Sequence, residues 1–186
     1  MAGGSCRWVS LDKLRVLQRW EVPDFGWIKV NSDGAVSKHR DKGGGGAVLR
    51  DHNGAFLAAV SHYFPSISNP VATELLAYKH GLEVAREINA TRVHLELDSL
   101  GVVQALEQTS RCLAALGSWI QPYKRIKALL ASFADFKVLW VRRSANAAAL
   151  KSAKVGVGDE LCKVWLGVPP DFVLDVISDE IQGPEG

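Results

Sequence analysis

The sequence lacks any apolar run approaching the roughly 20 residues of a membrane span, so no membrane partner is expected. It is poor in cysteine. Cys6, Cys112 and Cys162 have no close pairing, which fits neither a zinc site nor a disulfide framework. Few and scattered cysteines point instead to a reducing, intracellular compartment, nucleus or cytoplasm. No long apolar segment follows the first residues, so a secretory signal is not expected. No charge sign predominates: 22 Lys+Arg stand against 20 Asp+Glu, a net charge of +2. There is no internal repeat and no low-complexity block. What remains is a chain of 186 residues, 47% hydrophobic and 23% charged, which is a globular composition and excludes wholesale disorder. The length suits one domain with extensions: 1–26 at the start, a folded domain over 27–167, and a tail over 168–186.

The near-neutral sum conceals an uneven distribution. Between Ser118 and Val155 lie Lys124, Arg125, Lys127, Lys137, Arg142, Arg143, Lys151 and Lys154, eight bases against the single acid Asp135. That stretch carries +7 and leaves −5 for the rest. A basic segment of this kind is the footprint of a polyphosphate partner, or simply a solvated helix face.

The pattern of apolar residues predicts the order β-β-β-α-β-α-α-β-α. Strands are expected at Trp27–Ser32, Ala47–Arg50 and Ala55–Tyr63, with Asp51-His52-Asn53-Gly54 as a tight turn between the second and third. Gly43–Gly46 reads as the approach to the second strand. Val71–Ile88 has helical period, with Val71, Leu75, Tyr78, Leu82 and Ala85 on one stripe. Arg92–Leu97 is a fourth strand, Ser99–Glu107 and Trp119–Ser132 are helices, and Phe136–Val141 is a fifth strand. Ala145–Lys154 is helical until Gly156 and Gly158 weaken it. Trp8, Leu11, Leu14 and Trp20 show a loose helical spacing near the start. Phe172, Leu174, Val176 and Ile177 give the tail an apolar pattern suited to packing on the domain or to a partner. Three antiparallel strands followed by alternating helix and strand predict an α/β domain, a mixed five-stranded sheet flanked by helices.

Three carboxylates stand out. Asp33 precedes Gly34 at a strand end, where a turn and a ligand site are both common. Glu74 lies on the apolar stripe of its helix, where a carboxylate is costly unless paired or bound to a cation; a stripe-edge glutamate reaching water is the alternative. Asp98 ends the fourth strand, where it could also cap the next helix. Taken together, two acids at strand ends and one on the intervening helix can converge. An oxygen-only set without His or Cys favours Mg2+ or Mn2+, and Mg2+ held by a few carboxylates usually works on phosphate.

Four blocks in order, Gly26–Ala35, Gly45–Gly54, Ala72–Ala77 and Val93–Ser99, resemble the plant ribonuclease H-like domains, a group also called reverse-transcriptase-like and shared with plant retroelements. The resemblance runs from about Trp20 to Pro170. It implies the ribonuclease H-like fold and two-metal hydrolysis of RNA in RNA–DNA hybrids, with Asp33, Glu74 and Asp98 as catalytic and metal-binding residues. Gly34, Ser99, Lys124, Arg125, Lys127, Arg143 and Asn146 are the residues expected at the nucleic acid. Trp119, Tyr123 and Trp140 either stack on bases or fill core. The chain departs from the family at two places: Leu150 stands where a fourth carboxylate is typical, and Trp140 where many members have a loop His. Asp159, nine residues past Leu150, would point to the opposite side of a continuous helix. The resemblance thus implies a monomeric ribonuclease weakened by the lost acid. A nucleic-acid-binding module with little turnover, retroelement-derived, is the alternative. A third reading is an interaction domain that keeps only the fold, with its extensions as the partner surface.

Overall fold

The computed structural model describes residues 18–37, 41–107 and 120–182. In chain order its elements are β1 (Ile28–Val36), β2 (Lys42–Arg50), β3 (Phe56–Pro65), α1 (Pro70–Glu87), β4 (Arg92–Leu97), α2 (Leu100–Glu107), α3 (Ile120–Ala131), β5 (Asp135–Trp140), α4 (Ala147–Gly158), β6 (Lys163–Leu166) and α5 (Asp171–Gln182). The strands form one mixed sheet in the order β5-β4-β1-β2-β3-β6. β1, β2 and β3 form the expected antiparallel meander, and β4 and β5 run parallel to β1. Parallel neighbours need crossovers, which the helices supply. The mixed α/β architecture is therefore as the sequence predicts, with one strand more.

The β2–β3 turn forms for the reason its residues suggest. Gly54 adopts a φ of 78°, and Asp51 Oδ1 accepts from the amides of Asn53 and Ala55 at 2.8 and 2.9 Å. Helix α1 opens with Pro70 in its first turn, and Asn69 caps it by accepting from Ala72 N at 3.2 Å.

Helices cover both faces. On one side α1 and α3 bury Val30, Leu49, Leu75, Tyr78, Leu82, Leu95 and Ile126 against the sheet. On the other, α4 and α5 enclose Val48, Ala59, Ala148, Val173 and Ile177. The tail's apolar pattern is thus a helix packed on the domain, although Leu174 points outward. Trp20 is buried without belonging to any helix; Trp8, Leu11 and Leu14, which suggested helical spacing with it, lie outside the described residues.

Four expectations need correction. The sheet has six strands, because Lys163–Leu166 pairs antiparallel with β3. Four residues are too few to show a period, and Trp165 meets Phe172 of α5 edge-on, 5.4 Å between ring centres. Next, Gly43–Gly46 lie inside β2 and not before it. The glycines let helices close on both faces: a β-carbon on Gly45 would lie 2.9 Å from that of Ala77 in α1, and one on Gly44 would lie 2.6 Å from Ala153 O in α4. Helix α4 also continues to Gly158. Gly156 is required there, since a β-carbon would sit 2.8 Å from His62 O of β3. Finally, Val71 is exposed and leaves the stripe that Leu75, Tyr78, Leu82 and Ala85 form.

A methyl group on Gly46 would overlap the Ala153 amide and the Ala149 carbonyl, whereas one on Gly158 would meet open space. Gly46→Ala is expected to cost about 1–3 kcal/mol or more in chemical denaturation. Gly158→Ala is expected to be neutral or stabilising by about 0.5–1 kcal/mol.

Candidate metal centre and its surroundings

The β1–β4 register brings the first two acids together. Its last pair is Ser32 with Leu97, so Asp33 and Asp98 follow side by side. β1 itself continues, with Asp33 opposite Gly46 of β2; Asp33 is therefore inside a strand and not at its end. The third acid arrives because Gly34 has no side chain. A β-carbon there would lie 2.5 Å from Glu74 N, so the first turns of α1 rest directly on β1. That helix fills the side of Gly34 on which a side chain would project, and the residue stays half-exposed. Its amide donates to Asp33 Oδ1 at 2.8 Å and fixes the carboxylate.

One carboxylate oxygen from each of Asp33, Glu74 and Asp98 lies within 4.8 Å of the others. Asp33 is 1% exposed, and its Oδ2, like Glu74 Oε2, is buried without a hydrogen-bond partner. Burial first, then the charge of Asp98, pushes the Asp33 carboxyl up to about 7. Burial also raises Glu74, while the Ser99 hydroxyl beside it pulls the other way. Carboxyl oxygens converging from three positions, two of them with an unpartnered buried oxygen, suit a hard cation with oxygen ligands, Mg2+ or Mn2+.

Asp98 does not cap α2. Ser99 holds the cap position, its carbonyl accepting from Val103 N at 3.1 Å. The Asp98 carboxylate pairs with Arg143 Nε at 3.2 Å, and the Arg143 side chain is 71% exposed, so it meets both the acids and solvent. Arg143 sits in a 3₁₀ turn, Arg143–Ala145, and α4 starts only at Ala147.

Asn146 is fully buried, which withdraws it from nucleic-acid contact. It donates to Ser32 O at 3.0 Å and accepts from Asn31 Nδ2 at 3.2 Å, joining β1 to the start of α4. Lys124 and Arg125 are exposed on α3, opposite the buried Tyr123, Ile126 and Leu130. Lys127 lies with its ammonium 5.8 Å from the Tyr123 ring centre. Tyr123 is core and offers no stacking surface; Trp119 is outside the described residues. Trp140, the last residue of β5, donates its indole N–H to Asp98 O at 3.1 Å and supports the strand end that carries the acid. Leu150 is half-buried in the first turn of α4. Among the described residues no acid replaces it: Asp159 is exposed just beyond α4 and outside the carboxylate group.

A buried polar assembly behind the site was not legible in the sequence. Asn31 Oδ1 accepts from Trp20 Nε1 at 2.7 Å and from Arg50 Nη2 at 3.3 Å, and its Nδ2 donates to Glu96 Oε2 at 2.9 Å. Lys29 pairs with Glu96 at 2.5 Å, and Arg50 with Glu180 of α5 at 2.7 Å. Arg50 also stacks on Trp20, 3.6 Å from its centroid. The only signal was the alternation Lys29, Asn31, Asp33, which reads equally well as a solvent face.

The comparisons with known proteins agree with this geometry. The sequence profile of the family described as "Reverse transcriptase-like" matches residues 31–156. An Arabidopsis thaliana protein named "Putative ribonuclease H protein" is 40% identical over 88 residues, which cover 47% of this chain and 14% of that protein. Among solved structures, RNase H1 of the halophilic archaeon Halobacterium salinarum superposes with a TM-score of 0.62 at 22% identity, covering 72% of this chain and 98% of the other. LC11-RNase H1 in complex with an RNA/DNA hybrid gives 0.59 at 17% identity, over 72% and 98%. These structural likenesses establish the ribonuclease H-like fold.

The raised Asp33 carboxyl has a consequence for stability. A carboxyl that keeps its proton up to about pH 7 when folded, but only to 3.8 ordinarily, contributes stability below pH 3.8 that is lost as pH rises through 7. In metal-free buffer at pH 8, Asp33→Asn is expected to stabilise the protein by up to about 4 kcal/mol, measured by urea unfolding. An unchanged or lower midpoint would contradict the stated cause.

Proposed function

The chain belongs to the reverse-transcriptase-like family, and from that premise we propose that it is a divalent-metal endoribonuclease cleaving RNA in RNA–DNA hybrids, slowed by the absence of a fourth carboxylate. The observation that carries this reading is the convergence of Asp33, Glu74 and Asp98, the first two with a buried, unpartnered oxygen each. Mg2+ or Mn2+ held by these three would supply positive charge to polarise a phosphodiester.

The chain's own residues supply the rest. Gly34 N–H orients Asp33, and Ser99 and Trp140 hold Glu74 and Asp98 in place. Arg143 is positioned to exchange Asp98 for a phosphate oxygen, and as a guanidinium it suits that oxygen. Lys124 and Arg125 on α3 would meet the backbone farther along and add a salt-dependent, sequence-independent attraction. The hybrid as substrate class is supported by the LC11-RNase H1 complex, which holds an RNA/DNA hybrid on the same fold.

Leu150 and Trp140 favour a second reading, a monomeric nucleic-acid-binding module with little turnover. Leucine can neither ligate an ion nor accept a proton from water, and indole is no general base.

A labelled RNA–DNA hybrid with Mg2+ or Mn2+ separates the two. Slow cleavage by the wild type, its loss in Asp33→Asn, and a gain of roughly 10-fold or more in Leu150→Asp are expected. Binding without cleavage in every variant would favour the module. In either case Lys124→Ala with Arg125→Ala is expected to weaken hybrid binding and to flatten the slope of log K against log salt by about 2. An unchanged slope would place the phosphate contacts elsewhere.

A further inference from the structure

A phenol borders the carboxylate cluster from the core side. Tyr78 lies four residues after Glu74 on α1, so both side chains share a helix face. Its ring is 0% exposed among Leu75, Leu82 and the sheet. Its hydroxyl is buried and meets no acceptor in good hydrogen-bond geometry; the acceptor it faces is Glu74, with Asp33 and Asp98 beyond. Burial and those three acids keep the phenol protonated, so it can only donate toward them. Arg143 faces the same acids from the solvent side. The cluster is therefore bounded by a guanidinium outside and a phenol inside.

A buried hydroxyl without a partner is costly, and a phenylalanine would fill the same space without that cost. Glu74 Oε2, one helical turn away on the same face, is likewise buried without a partner, so a turn of that carboxylate would give the hydroxyl its acceptor.

We propose that Tyr78 is a positioning residue of the ion site: its hydroxyl donates to Glu74 once that carboxylate turns to hold a cation, fixing its orientation toward Asp33 and Asp98. This rests on the metal-site reading above. It deepens that reading by adding a residue that touches neither the ion nor the substrate. Such outer partners commonly govern affinity, and their removal costs about 10–100-fold.

The test uses Mn2+ alone as the probe, titrated by calorimetry and by the loss of its free EPR signal. Tyr78→Phe is expected to keep or raise the metal-free melting temperature, because the unpartnered hydroxyl is gone. It is expected to bind Mn2+ about 10-fold more weakly than wild type. In a Glu74→Gln background, Tyr78→Phe is expected to change Mn2+ affinity no further. Equal affinity of wild type and Tyr78→Phe would overturn the proposal and leave the metal site standing. So would a markedly lower metal-free melting temperature, which would make the hydroxyl structural, or an undiminished effect in the Glu74→Gln background. Failure of the wild type itself to bind Mn2+ would overturn both the metal site and the role of Tyr78, and it is seen before any variant is made.

Discussion

Three carboxyl groups whose nearest oxygens lie within 4.8 Å of one another repel when ionised, and the packing of β1, β4 and α1 holds them there. The β1–β4 register sets Asp33 beside Asp98. The bare Gly34 lets α1 come down until Glu74 joins them. Without a cation the repulsion is relieved in two ways: Asp33 retains a proton up to about pH 7, and Arg143 pairs with Asp98. Both are replaceable. A proton can leave, and an exposed guanidinium can turn to another anion. A cluster arranged in this way costs stability and is able to hold a cation.

Holding such a site demands rigidity behind it. The Asn31 assembly provides this by tying Trp20, β1, β2, β4, the start of α4 and α5 through buried hydrogen bonds and ion pairs. Replacing such pairs wholesale with apolar groups is often neutral, but removing one partner strands a buried charge and costs about 3–5 kcal/mol. The assembly therefore fixes geometry more than it adds stability. It also explains why segments outside the sheet's first five strands matter. Trp20 covers Arg50 and Glu180 neutralises it, so both ends of the described chain close over the same buried cation.

The fold was largely legible because its signals are local. Alternation marks β1 and β3, the Asp51–Gly54 turn joins β2 to β3, and Arg92–Leu97 matches β4 residue for residue. What escaped depends on tertiary contact. A run of four glycines looks like a loop until two helices need its bare surface. β6 is too short to show a period, and Gly156 looks like a helix breaker until α4 crosses β3 there. The three acids were legible as a set, since each was improbable alone and meaningful only together. Motif position reveals proximity to a site but not which way a side chain faces: Asn146 turns into the buried assembly, and the side of Gly34 where a side chain would project is filled by α1. Tyr78 was read only as core, because its ring is core and only the fold shows what its hydroxyl faces.

The central claim is that Asp33, Glu74 and Asp98 form one divalent-cation site. The most direct test is a crystal grown with Mn2+, with anomalous scattering measured near the manganese edge. The account predicts an anomalous peak within ligand distance of oxygens from all three carboxylates, with Arg143 turned away from Asp98. A map with no peak there, and the Arg143–Asp98 pair intact in saturating Mn2+, would contradict it.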